Sequence, residues 1–90
     1  MTFDAIKDPD AVLDYEWDWS AWLAEGETIS SVVWVVPAGI TKDSDTNTTN
    51  TATIWLSGGT LDASYKITCR ITTNQGRTDD RTRTIIVQDR

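Results

Sequence analysis

The chain has 90 residues, a net charge of −6 and a hydrophobic content of 39%, which fits one small domain with a single modest core. It contains five tryptophans, one cysteine and no histidine. This composition excludes an internal disulfide, the Ser-His-Asp and Cys-His catalytic arrangements, and a zinc or iron site built from a cluster of histidines and thiols. We therefore expect one domain over residues 1–90 that is not an enzyme and holds no cofactor.

The first eleven residues are predicted to form an N-terminal arm. The sequence MTFDAIKDPD (residues 1–10) has neither the basic nor the apolar region of a secretory signal. No apolar run along the chain approaches the roughly 20 residues needed to cross a bilayer. These features predict a protein made in the cytoplasm that does not contact a membrane.

The stretch DYEWDWSAW (residues 14–22) begins with a strict period of two, which predicts a half-buried strand. We expect the aromatic residues, which occupy the odd positions, to form one wall of the core, and the acidic residues, which occupy the even positions, to face water or a basic neighbour. The two sets are Tyr15, Trp17 and Trp19, and Asp14, Glu16 and Asp18. Carboxylates two apart along a strand lie nearly 7 Å from each other (about 2 × 3.4 Å), which favours a solvated acidic face over a cation site.

Five further strands and three connecting segments are predicted after this stretch. Residues 20–26 break the alternation and predict a turn that carries Trp22 and Leu23. The predicted strands are 28–36, with Val32, Trp34 and Val36 inward, then 40–42, 51–56, 65–72 and 81–88. The wholly polar stretch 43–50 is predicted to be a surface loop, and residues 74–76 a hairpin turn.

These short strands, separated by regular turn signals, predict an all-β immunoglobulin-like β-sandwich of about six to seven short antiparallel strands. The antibody fingerprint itself is not met. Tyr65 stands four residues before Cys69, and no second cysteine exists to pair with it.

Charge is distributed unevenly along the chain. Residues 1–63 contain eleven acidic and two basic side chains, whereas residues 64–90 contain six basic and three acidic ones. Either the two halves stay apart, in which case the protein could stack on copies of itself or bridge two partners, or folding interleaves them. The basic residues near the C-terminus predict at most weak, salt-dependent nucleic-acid affinity.

Tryptophan and arginine side chains outside the regular pattern are the candidate interface residues, because interface energy concentrates in these residue types. Trp22 and Leu23 lie beyond the alternation, and a basic hairpin follows residue 76. The predicted protein interface is Trp22, Leu23, Arg77, Asp79 and Arg81. A carbohydrate-binding module is an alternative if Trp22 or Trp55 is exposed.

Three stretches together resemble a known family: VLDYEWDWSAWLAEGETI (12–29), TATIWLSGGT (51–60) and ITTNQGRTDDRTRTI (71–85). They are similar to small immunoglobulin-like virion proteins of tailed phages, described as fibre-tail adaptor or neck proteins. The resemblance implies a structural virion component made in the host bacterial cytoplasm. Its implied partners are head-tail connector, tail, fibre or capsid proteins and copies of itself. A capsid cement protein is the structural alternative.

Overall fold

A computed structural model describes residues 3–8 and 10–88 and contains seven strands in this part of the chain. The strands are β1 (Phe3–Lys7), β2 (Leu13–Asp18), β3 (Ile29–Val35), β4 (Ile40–Asn47), β5 (Thr51–Gly58), β6 (Ser64–Thr73) and β7 (Thr78–Val87). They form a four-stranded sheet in the order β1-β7-β6-β3 and a three-stranded sheet in the order β2-β5-β4. The predicted all-β sandwich is confirmed.

The topology explains why the sandwich is immunoglobulin-like without an antibody fingerprint. In an immunoglobulin domain the second, fifth and fourth strands share one sheet, and the third, sixth and seventh share the other. The same pairs form here, all antiparallel. The first strand differs, because β1 pairs with β7 in parallel. Residues 3–7 of the segment expected to be an arm thus form a strand, which the predicted antiparallel set did not include.

The core lies between the two sheets and is built from every second residue of each long strand. Trp17 and Trp19 are 3% and 0% exposed, and Tyr15 is partly buried and packs against the core. The predicted aromatic wall is therefore confirmed, as is the inward direction of Val32, Trp34 and Val36, which pack against the core. The fully buried centre comes from β5, β6 and β7, including Ile54, Leu56, Ile67, Cys69, Ile71, Ile85 and Val87.

A buried lysine ties the two sheets together at the end of β1. The side chain of Lys7 is 0% exposed, and its Nζ donates hydrogen bonds to the carbonyl oxygens of Asp8 at 2.8 Å and Gly58 at 2.7 Å. Gly58 ends β5 of the opposite sheet. Burial lowers the pKa of Lys7, although the neighbouring carboxylates oppose this shift.

The prediction that the polar stretch 43–50 is a surface loop is wrong for most of its length. Instead of a loop, residues up to Asn47 continue β4, which runs beside β5 with a bulge between Lys42 and Ser44. Every residue of β4 after Ile40 is exposed. A polar segment can form this strand because it lies at a sheet edge, where backbone pairing to β5 does not require apolar side chains, and a bulge and charges suit an edge.

Tyr65 performs the function of a tyrosine corner despite its unusual spacing from Cys69. Its hydroxyl accepts a hydrogen bond from the backbone N–H of Thr60 at 2.9 Å, across the β5–β6 connection. This connection requires Gly59, whose φ is +97° and whose hypothetical Cβ would lie 2.7 Å from Cγ2 of Val87. The Tyr65–Thr60 hydrogen bond and Gly59 together fix how the chain crosses from one sheet to the other.

Candidate protein-interaction site

The candidate site begins with the turn after β2. The backbone N–H groups of Trp22 and Leu23 both donate to the carbonyl of Trp19, at 2.9 and 3.1 Å. This tight turn brings the Trp22 ring beside that of Trp19, with centroids 5.6 Å apart and an interplanar angle of 71°. The predicted turn is confirmed, and it places Trp22 at one end of the sandwich, partly buried.

The hairpin between β6 and β7 brings Arg77 onto this turn. The guanidinium carbon of Arg77 lies 4.0 Å from the centroid of the Trp22 ring, within the range of a cation–π contact. Arg77 also donates to the Trp22 carbonyl at 3.3 Å. Its Nε donates to Oε2 of Glu27 at 2.9 Å, and its Nη2 pairs with Oε1 of the same carboxylate. This fork-to-fork pairing fixes the guanidinium plane.

Glu27 is the acidic group to which Arg77 and the turn after β2 are both bound. Its side chain is 1% exposed, whereas that of Arg77 is 46% exposed. The carboxylate also accepts hydrogen bonds from the Ala24 N–H at 3.0 Å and the Thr73 hydroxyl at 2.7 Å. The hydrogen bonds from Arg77, Ala24 and Thr73 lower the pKa of Glu27 to about 2, against the opposing effect of burial. Glu27 is therefore ionised in the folded protein at neutral pH.

Two arginines of β7 stack on Trp17 of β2 and on Trp19, which directly follows that strand. The Arg81 guanidinium lies 4.3 Å from the Trp19 ring centroid and donates to the Asp18 carbonyl at 3.0 Å. The Arg83 guanidinium lies 4.5 Å from the Trp17 ring, and burial lowers the pKa of Arg83. Alternate residues of a strand share a face, so both arginines point toward the opposite sheet. Together with Arg77 on Trp22, they form a ladder of three Arg–Trp contacts between the sheets.

The structure brings the predicted interface residues to one end of the sandwich. Trp22, Arg77 and Arg81 are connected through Trp19, and the negative charge of Asp79 acts on Arg77. Leu23 is partly buried and lines an open depression of about 300 Å³ next to Glu27 and Asn50. We call this set, Trp22, Leu23, Arg77, Asp79 and Arg81, the corner. Its arginines hold the sheets together, whether or not they also contact a partner.

Sequence reasoning missed Glu27 and left open whether Trp55 is exposed. Glu27 gave no signal, because it lies in a turn without periodicity and its partner Arg77 is 50 positions away. Trp55 did carry a signal: it has the opposite parity from Ala52, Ile54 and Leu56, which predicts an outward side chain. It is 39% exposed. Of the two tryptophans considered as exposed candidates, Trp55 is the exposed one, and Trp22 is partly covered by Arg77.

The acidic half of the chain supplies all of one sheet and two strands, β1 and β3, of the other. Strands β2, β4 and β5 all come from the acidic half, and the outer face of β2 carries Asp14, Glu16 and Asp18. The basic residues of the C-terminal half that the structure describes lie on or next to β6 and β7 in the other sheet, where Arg70 pairs with Asp80. Folding therefore separates the two halves in part: the outer face of the β2-β5-β4 sheet stays acidic, whereas Arg77 of the basic half pairs with Glu27 of the acidic half.

Two kinds of site are not found in the described parts of the chain. Within residues 3–8 and 10–88, no group of three or more histidine, cysteine, aspartate or glutamate side chains is placed to hold a metal ion. Nor does this part of the protein contain a helix long and apolar enough to span a membrane. Burial raises the pKa of the Cys69 thiol to about 12, so the lone cysteine lies in the core as an unreactive thiol.

Comparison with known proteins identifies the family. No curated protein matches the chain. A family model described as podophage GP4 fiber-tail adaptor protein gp77 matches residues 7–86. The match spans every strand from β2 to β6 and all of β7 except Val87, including the whole corner. The chain therefore belongs to the gp77 family of podophage fibre-tail adaptor proteins.

Proposed function

We propose that this protein acts as a non-enzymatic adaptor that joins a fibre to the tail of a podophage virion through protein contacts alone. The observation that carries the proposal is the family match over residues 7–86. We further propose a single domain over residues 1–90 whose N-terminal arm, residues 1–11, contributes β1 to the four-stranded sheet, synthesis in the host bacterial cytoplasm, and assembly with copies of itself. Neither nucleic acid, a membrane nor a cofactor takes part in this function.

The shape and charge of the sandwich support a bridging function. An adaptor needs two separate surfaces, one for each component; here the β2-β5-β4 sheet comes wholly from the acidic half, whereas the basic strands β6 and β7 lie in the other sheet. Electrostatic complementarity of this kind selects partners and fixes their orientation more than it adds affinity. The corner is a suitable contact for one of the two components, because it combines a half-exposed Arg77 and a partly buried Trp22 with Leu23, which lines an open depression.

The adaptor function is tested by deleting the gene from its phage and supplying the protein from a plasmid. We expect particles assembled without the protein to have tails but no fibres, and the wild-type protein to restore the fibres in electron micrographs. Mass spectrometry of purified virions is expected to find the protein at a copy number comparable with the tail proteins. A copy number comparable with the major capsid protein would instead indicate a cement protein. Absence from purified virions would contradict both functions.

The corner is tested with the variant Trp22→Ala. We expect this variant to remain folded but to be incorporated less into particles, because the substitution removes the platform on which Arg77 lies. The Trp19 edge-to-face pair lost with it is worth only about 1 kcal/mol. Val33→Ala is a suitable control, since Val33 is 53% exposed and lies in β3, outside the corner. Equal incorporation of the two variants at equal amounts of folded protein would refute this assignment.

A further inference from the structure

The outer face of the β2-β5-β4 sheet combines an exposed tryptophan with carboxylates on both sides. Trp55 lies in the central strand, directly opposite Asp14 of β2 and Ser44 of β4. Glu16 is the next outward residue of β2. On the β4 side, Asp43 lies in the bulge, where its carboxylate accepts a hydrogen bond from Ser57 at 2.7 Å. We call Asp14, Glu16, Asp43 and Trp55 the acidic face.

The fold does not require this arrangement. Residues directly opposite each other in neighbouring strands have Cβ atoms about 5 Å apart, so the carboxylate of Asp14 lies beside the Trp55 ring. No lysine or arginine lies on this face among the described residues, because Lys42 has the opposite parity and pairs there with Asp45. Like charges on one sheet face repel one another, and a large aromatic side chain left in water contributes little to the core.

We propose that the acidic face binds a cationic polypeptide segment of a partner protein, with an arginine or lysine of that segment seated on the Trp55 ring. A tryptophan face attracts a guanidinium or ammonium group, and the flanking carboxylates supply the complementary charge. The proposal rests on the adaptor function and names the partner chemistry of one of its two surfaces.

The charge pattern of the chain itself argues for a partner of another sequence over a second copy. The arginines of β7 already stack on Trp19 and Trp17 inside the sandwich. On the outer face of the other sheet, Arg70 forms a two-pronged pair with Asp80 at 2.8 and 3.0 Å. Since Arg77 pairs with Glu27, the part of a second copy that the structure describes would offer mainly Lys66 to the acidic face, which leaves most of its carboxylates without a counter-charge.

The test uses the full-length protein and a nona-arginine peptide as the probe. Isotope-labelled protein is titrated with the peptide at low salt while backbone amide shifts are recorded by NMR. We expect the shifts to concentrate on β2, β5 and β4 around Trp55, and to weaken as salt is added. Shifts that concentrate on the corner, or no shifts at all, would overturn the proposal. A titration with maltoheptaose that moves the same amides while nona-arginine does not would also overturn it, in favour of carbohydrate binding.

Two matched pairs of variants separate the site from general charge attraction. We expect Trp55→Ala to weaken nona-arginine binding about 3- to 10-fold, whereas Leu61→Ala, an exposed hydrophobic residue outside this sheet, changes it little. We expect Asp14→Asn to weaken it about 2- to 4-fold. Its control is Asp62→Asn, which removes one negative charge away from the acidic face and should change binding little. Asparagine tolerates the positive φ of 68° at that position. Equal effects within either pair would refute a site centred on Trp55.

The outcome can be separated from that of the adaptor function. Peptide binding is measured on the isolated protein, whereas the adaptor function is decided by virion composition and fibre attachment. A wild-type protein that is present in virions but whose acidic face does not respond to nona-arginine refutes only the proposal for this face. A protein absent from virions refutes the adaptor function irrespective of the peptide result.

Discussion

Replacing Trp34 by alanine tests the packing between the two sheets most directly. Its ring meets that of Trp17 edge to face, with centroids 5.0 Å apart and an interplanar angle of 76°. Truncating a core tryptophan costs about 3 to 5 kcal/mol, of which such a ring pair accounts for about 1 kcal/mol. Trp34 is partly buried and lies on the edge strand β3. We therefore expect a loss at the lower end, about 3 kcal/mol.

The assay is urea unfolding followed by far-UV circular dichroism, which does not depend on the fluorescence of the deleted ring. A domain of this length has a total stability of about 5 to 13 kcal/mol, so a loss of about 3 kcal/mol leaves it folded but lowers Tm by roughly 12 to 24 °C. Val35→Ala is the control, because Val35 is the next residue of the same strand, is 48% exposed and points outward; its expected loss is about 0.5 kcal/mol. A loss below about 1 kcal/mol for Trp34→Ala, or equal losses for the two variants, would refute the assignment of Trp34 to the core.

Three further predictions concern single positions. Because the folded pKa of Glu27 is about 2 and its ordinary value is 4.5, its stabilising effect is complete above pH about 4.5 and is lost as the pH falls toward 2; unfolding curves of Glu27→Gln should therefore depend less on pH in this range, and an unchanged slope would contradict the ion pair. Gly59→Ala should lose more stability than Gly26→Ala in thermal unfolding, since both have positive φ but only Gly59 meets Val87, the φ penalty alone being about 1 to 3 kcal/mol; equal losses would place Val87 elsewhere. The buried Cys69 thiol, with a pKa of about 12, should react with Ellman's reagent at pH 8 only when the protein unfolds, and rapid labelling of the native protein would show that it is accessible.

Period-two patterns were sufficient to predict most of the sandwich from the sequence. The alternation of Tyr15 and Trp17 with acids, and that of Tyr65, Ile67 and Cys69 with polar residues, identified the core parity of β2 and β6 correctly. These predictions succeeded because a strand with one buried face must place its apolar residues at every second position. The same rule, applied to Trp55, would have identified the exposed tryptophan.

Edge strands were the weak point of the sequence prediction. The polar segment of β4 has no apolar residues at alternate positions, because both of its faces after Ile40 are exposed. Its strand conformation comes from backbone pairing to β5, which leaves no mark in the side-chain pattern. The parallel pairing of β1 with β7 was missed for a related reason, since partners 80 residues apart are selected by the tertiary fold.

By itself, the sequence determined the fold class, the inward aromatic wall and the absence of histidine and disulfide chemistry, because these follow from residue types and local periodicity. Only the tertiary structure decided which side chains meet across the sandwich. It placed Arg77 between Trp22 and Glu27, stacked Arg81 on Trp19, and isolated Trp55 among carboxylates. Such contacts join residues far apart in the chain, and their geometry depends on how two sheets pack, which no local pattern encodes.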